Sequence, residues 1–218
     1  MITLREKIKI DEIGMEEYYD ALPPTGKIAL LRDFESQEDY SDYNPGLRVY
    51  DTVNSLLWGQ LVILEQTKVS KSSDIINKLS VILRPLTEEV FDNTDAEREA
   101  TLASTILDLP YGFIVYILNK FEESREKVLF HQFNGVIYHK DDLKPKEDGD
   151  ESGIVEEAEA QFNKTWYWYK LTKMLANDSF LDIDKVYRQK AMDAMVELAY
   201  ITQENKLEKA RNDRNQIL

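Results

Sequence analysis

The feature that most constrains the fold of this 218-residue chain is the recurrence of apolar residues at every third or fourth position. This spacing places the apolar side chains of a stretch on one face of an α-helix. The stretches that show it are 27–38, 48–66, 95–107, 110–121, 156–176 and 185–209. For the apolar run 75–83 the period does not separate strand from helix. The sequence therefore predicts a mainly α protein of about five to seven helices.

Two segments carry β signals instead. At 2–10, Ile2, Leu4 and further isoleucines share one parity, which predicts a short N-terminal strand whose apolar face Glu6 interrupts. Asn134-Gly135 is a two-residue turn signal between two short apolar runs. It predicts a small β-hairpin near 128–139.

Charge divides the chain into parts. Nine acidic residues and two lysines fall within 141–160, together with Pro145 and two glycines. Such a composition is typical of an acidic flexible loop or linker. We therefore expect a helical part at 1–140, the linker at 141–160 and a C-terminal helical pair at 161–218 that packs on the same core.

The composition argues against several classes of function. The formal net charge is −14, which opposes direct binding to a nucleic-acid backbone. No apolar stretch approaches the roughly 18–20 residues of a membrane span, so no membrane partner is expected. The first residues are punctuated by charges, unlike a signal peptide.

The sequence also lacks the usual patterns of catalytic and metal-binding sites. The chain has no cysteine and only two histidines, His131 and His139. The predicted hairpin would place their imidazoles on opposite faces, which argues against a shared metal. Neither a glycine-rich phosphate loop nor a nucleophile elbow occurs. We therefore expect a protein that is not an enzyme and has no cofactor, metal or small-molecule substrate.

The most unusual local feature is the run Trp166-Tyr167-Trp168-Tyr169. Four consecutive rings on a helix point to all of its sides, so they cannot all face the same core. One interpretation is a helix sandwiched between its own core and a partner protein, since Trp and Tyr anchor interfaces. The others are a helix central to the fold, with all four rings packed internally, and a base-stacking platform.

These residues also belong to a pattern that resembles tailed-bacteriophage virion morphogenesis proteins, over roughly 54–130 and 164–205. The residues that carry the resemblance are Trp166 to Tyr169, Leu175, Asp182-Ile183-Asp184-Lys185-Val186, Met195, Leu198-Ala199-Tyr200 and Glu204, with Leu83-Arg84-Pro85 and Pro110 in the centre.

The resemblance implies a structural subunit of the tail or neck assembly, located in the virion and assembled in the host cytoplasm. Its partners would be copies of itself and other phage virion or tail proteins. The alternative that it implies is a tail assembly chaperone, confined to the host cytoplasm. Such a chaperone binds apolar helices of a tape-measure protein and is absent from the finished particle.

Overall fold

The structure, a computed structural model, describes residues 2–22, 40–138 and 154–216. The mainly α prediction is confirmed: these residues form nine α-helices and one two-stranded sheet. The helices are α1 Leu4–Ile13, α2 Met15–Ala21, α3 Trp58–Gln66, α4 Ser72–Ile82, α5 Ala96–Leu107, α6 Tyr111–Arg125, α7 Ile154–Leu175, α8 Ile183–Tyr187 and α9 Ala191–Gln216. The predicted helix at 27–38 lies outside the described residues.

The chain separates into two compact units, each built from two stretches of sequence. Unit 1 contains Met1–Asp51 and Ile63–Glu122, and unit 2 contains Thr52–Val62 and Glu123–Leu218. The predicted linker 141–160 overlaps the start of α7 at Ile154, and its residues 141–153 lie outside the described part.

The N-terminal segment is a helix, so the prediction of a strand over 2–10 is wrong. Thr3 is the N-cap of α1: its hydroxyl accepts a hydrogen bond from the Glu6 N–H at 3.2 Å. The Glu6 carboxylate in turn accepts one from the Thr3 N–H at 2.8 Å. This reciprocal capping box satisfies two N–H groups that a helix start would leave unpaired. The apparent interruption at Glu6 is therefore the helix-start signal.

The sheet of unit 1 pairs β1, Leu47–Val49, with β2, Leu83–Pro85, in antiparallel register. The predicted helix over 48–66 is therefore too long: its first residues are a strand, and α3 begins only at Trp58. In the undecided run 75–83, helix α4 ends at Ile82 and strand β2 begins at Leu83. The predicted helix at 95–107 is confirmed, with Asp95 as its N-cap.

Unit 1 also contains a buried ion-pair cluster centred on Arg84, whose side chain is 1% exposed. The guanidinium donates to both carboxylate oxygens of Glu88 at 2.5 and 2.8 Å, and to both of Glu99 at 3.1 and 2.7 Å. It also donates to the backbone carbonyls of Ser80 and Asp92 at 2.8 and 2.9 Å. These bonds connect α4, β2, α5 and the segment 86–95 into one hydrogen-bonded assembly.

In unit 2, Trp58 is fully buried and its indole N–H donates to the Thr172 hydroxyl at 2.9 Å. The backbone at Leu56 and Trp58 also interrupts the C-terminal helix predicted at 185–209. The Trp58 N–H donates to the Gln189 carbonyl at 2.7 Å, and the Ala191 N–H donates to the Leu56 carbonyl at 2.9 Å. The helix is therefore divided into α8 and α9.

The predicted hairpin near 128–139 does not form over its described residues, which end at Tyr138. Residues Glu126–Gln132 are a π-helix that continues from α6. The Asn134-Gly135 turn is present, with Gly135 at φ +80°. However, Val128, Leu129 and Phe130 are all buried, whereas a strand in an isolated hairpin would alternate between core and solvent.

Candidate protein-interaction surface

Helix α7 presents two opposite stripes of side chains in unit 2. Its inner stripe consists of Trp168, Leu171 and Thr172, all of which are buried. The spacing i, i+3, i+4 places them on one side of the helix. The Trp168 ring lies 5.6 Å from the Trp58 ring between centroids. The Thr172 hydroxyl, which accepts the Trp58 N–H, donates to the Trp168 carbonyl at 2.9 Å.

The outer stripe consists of Trp166, Tyr169, Lys170 and Lys173, at spacing i, i+3, i+4, i+7. Trp166 is 49% exposed and Tyr169 is 38% exposed. Their rings form an edge-to-face pair with centroids 5.9 Å apart and planes at 75°, an arrangement that favours aromatic contact. Both lysines are exposed. We call these four residues the α7 outer face.

The four aromatic residues predicted as an interface therefore divide between two environments. Trp168 is 5% exposed and belongs to the core, and Trp166 and Tyr169 face outward. Tyr167 is half-buried, and its hydroxyl donates to the Ile137 carbonyl at 2.7 Å. The interpretation in which all four rings pack internally is therefore wrong, and Trp166 and Tyr169 are the rings that a partner could reach.

A tight turn ends α7 and carries two further exposed apolar residues. Asn177 and Asp178 have φ of 50° and 61°. The Asp178 N–H donates to the Lys173 carbonyl and the Asn177 N–H to the Met174 carbonyl, as in a Schellman motif. After this turn Phe180 and Leu181 are 77% and 86% exposed. Exposed apolar side chains of this size, grouped within one turn, are typical of interaction sites.

Charges flank the turn. The Lys173 ammonium lies 3.3 Å from the Asp178 carboxylate, and both side chains are exposed. Hydrogen bonds from Lys185 and Ser179 lower the pKa of Asp182 below its usual value. These bonds favour the ionised form of Asp182.

Sequence reasoning identified the rings but missed Lys170, Lys173, Phe180 and Leu181. For the lysines a signal was present, because they follow Trp166 at the helical spacing of its own face. Nothing comparable marked Phe180 and Leu181, since their exposure depends on the turn at Asn177.

A groove of about 420 Å³ in unit 1 is lined by residues of β1, β2 and α5. Its aspartate and threonine side chains are engaged within the fold. Asp95 accepts the Arg98 N–H at 3.1 Å, and the Thr101 and Thr105 hydroxyls donate to carbonyls one helical turn earlier. The Nε of Arg98 is buried without a hydrogen-bond partner among the described residues, while Nη2 of the same guanidinium bonds to the Asp92 carbonyl. The groove therefore does not offer the converging polar groups of a small-molecule site.

Of the two histidines, the structure describes only His131. His131 is exposed, with its Nε2 3.5 Å from a Glu126 carboxylate oxygen, and His139 lies outside the described residues. Within residues 2–22, 40–138 and 154–216, no three His, Asp or Glu side chains are grouped to hold a metal ion. Among these same residues, no helix has the length and apolar character that crossing a bilayer requires.

Comparisons with protein-family models, with curated proteins and with solved structures find no match to this chain.

Proposed function

We propose that this protein is a non-enzymatic assembly protein, a structural subunit of a tailed-phage tail or neck. It self-associates and docks onto neighbouring virion proteins through the α7 outer face. The observation that carries the proposal is the exposure of Trp166 and Tyr169 on the opposite side of α7 from its packed stripe.

Physical chemistry supports docking at this face. A helix needs only one apolar stripe to pack on its own core, and Trp168, Leu171 and Thr172 supply it for α7. A second stripe that exposes Trp and Tyr to water gains nothing from the fold itself. Large, rigid aromatic side chains are enriched among the residues that dominate binding energy at interfaces.

The assignment to a phage particle rests on the resemblance of the sequence to virion morphogenesis proteins. Arg84 and Trp168, two residues that carry that resemblance, are buried and belong to the cores of units 1 and 2 respectively. Trp166, Tyr169 and Tyr200, which also carry it, are exposed. This division suits a subunit whose recurring residues maintain the fold and also contact neighbours.

Native mass spectrometry of the purified chain over a range of concentrations tests the proposal. We expect a closed ring of defined copy number, which Trp166→Ala dissociates. Leu207→Ala is the control, because it removes an exposed apolar side chain from α9, outside the α7 outer face. This control variant should still form the closed oligomeric ring.

Two results would contradict the structural-subunit role. One is equal assembly of wild type and Trp166→Ala. The other is a monomer or dimer that binds a tape-measure protein in a pull-down but is absent from purified particles, which would support the chaperone instead.

A further inference from the structure

The charge around the α7 outer face differs from that of the whole chain. From Ala160 to Asn177 the sequence contains three lysines and no acidic residue, a local charge of +3 in a chain of net charge −14. Two of these lysines, Lys170 and Lys173, lie on the outer face with Trp166 and Tyr169. The face is thus aromatic and basic.

We infer that the α7 outer face binds an acidic segment of a partner protein that also carries apolar side chains. The inference rests on the proposed function and specifies the chemistry of the docking partner. Carboxylates of the partner would pair with Lys170 and Lys173, and its apolar side chains would cover the rings of Trp166 and Tyr169. Complementary charge of this kind sets partner choice and speeds association.

The geometry at Lys173 allows a partner carboxylate to replace its present ion-pair partner. Its present ion pair with Asp178 joins two exposed side chains at 3.3 Å, and exposed pairs of this kind are weak. A partner carboxylate could therefore replace Asp178 at small cost. The carbon chains of both lysines would extend the apolar contact beside the rings.

A protein partner is favoured over single-stranded nucleic acid, which also uses aromatic and basic side chains. Strand binding needs a basic groove that follows many phosphates. Here Asp178, Asp182 and Asp184 follow immediately after the basic stretch, and the lowered pKa of Asp182 keeps that carboxylate charged. They end the basic stretch, so the two lysines of the α7 outer face can pair with two carboxylates of a short peptide segment but cannot follow a run of phosphates.

Tryptophan fluorescence offers a direct test, because Trp166 is half-exposed whereas Trp58 and Trp168 are buried. The probe is a synthetic peptide that repeats Glu-Glu-Leu, compared with a matched peptide that repeats Gln-Gln-Leu and with oligothymidylate. At dilutions where the chain is monomeric, so that self-association does not cover the face, we expect saturable binding of the glutamate peptide, which weakens at high salt. Equal binding of the glutamine peptide, or tighter binding of oligothymidylate, would overturn the inference.

Charge reversal locates the site. Lys170→Glu/Lys173→Glu should weaken binding of the glutamate peptide by about tenfold or more, because like charges then face each other. The control Lys206→Glu/Lys209→Glu makes the same change at two exposed lysines on α9 and should leave affinity within about twofold of wild type. Equal weakening by both variants would mean that the peptide responds to total charge, and the inference would fail.

The same variants separate this inference from the proposed function. If Trp166→Ala dissociates the assembly while wild type does not bind the glutamate peptide, docking through α7 stands and the acidic-partner inference fails. If Trp166→Ala leaves assembly unchanged, the proposed function itself fails.

Discussion

The Arg84 cluster of unit 1 and the α7 outer face of unit 2 each contain a side chain whose burial is unusual for its residue type. Arg84 is 1% exposed although arginine is rarely buried, whereas Trp166 is half-exposed although tryptophan is mostly buried. In the cluster, two carboxylates and two backbone carbonyls satisfy the buried guanidinium. On the outer face, Trp166 is 49% exposed and its ring meets the Tyr169 ring edge to face.

The difference shows how to separate structural residues from functional ones in a chain of this kind. A buried charge is tolerated only when it is paired and hydrogen-bonded, so the completeness of the Arg84 bonds marks a structural role. An exposed ring contributes little to the fold, which makes it a candidate for contact outside the fold. Departures from expected burial are therefore informative in both directions.

The largest expected effect comes from breaking the cluster. Arg84→Met removes the guanidinium and leaves the buried Glu88 carboxylate with only the more distant cation of Arg98, 3.8 Å away, so we expect a loss of about 3–5 kcal/mol in the free energy of unfolding. Urea denaturation followed by circular dichroism measures it. Adding Glu88→Gln should recover part of the loss, because it removes the uncompensated charge.

Arg5→Met is the matched control, because Arg5 makes an exposed ion pair with Asp108 at 2.9 Å. It should cost less than about 1 kcal/mol. Equal losses for the two arginine variants would show that burial does not distinguish the Arg84 cluster from a surface pair.

The two tryptophans of α7 provide the next test. Trp168→Ala opens a cavity beside Trp58 and should lower the free energy of unfolding by about 3–5 kcal/mol. Trp166→Ala should lower it by less than about 1 kcal/mol, since it removes an exposed ring and one edge-to-face contact. Thermal or urea unfolding of the monomer measures both. Similar losses for both variants would mean that Trp166 is also a core residue.

The sequence predicts the helical class well, because class depends on the spacing of apolar residues along the chain. It fails where local spacing is ambiguous. Ile2, Leu4 and Ile8 suit either a strand or a helix, and the capping bonds between Thr3 and Glu6 decide for the helix. Long-range pairing also overrides local pattern, as when Arg48 joins β1 instead of extending α3.

The candidate site is predicted only in part for a similar reason. The four rings stand out in the sequence, yet only the position of Trp58 determines that Trp168 faces inward and Trp166 outward. The burial of Arg84 is equally inaccessible from sequence, since its partner Glu99 lies fifteen positions away, on helix α5. Residue type alone thus indicates which residues are unusual, and the fold determines their role.

The smallest expected effect is the pH dependence of the stability that Glu88 contributes to the Arg84 cluster. Burial alone would raise the pKa of Glu88, but hydrogen bonds from Arg84 and from the Asp92 N–H outweigh it and hold the pKa below its usual value. Because the lowered pKa belongs to the folded state, Glu88 contributes stability above the usual glutamate value of about 4.3. That contribution disappears as pH falls through the folded-state pKa.

We therefore expect the difference in unfolding free energy between wild type and Glu88→Gln to be largest near neutral pH and to shrink in acid. Urea unfolding at a series of pH values measures this difference. Glu89→Gln alters the adjacent exposed carboxylate. Its unfolding free energy, plotted against pH, should run parallel to the wild-type curve. If the Glu88→Gln curve also stayed parallel, ionised Glu88 would not be the partner that holds Arg84, and the contrast between buried charge and exposed ring would rest on Glu99 alone.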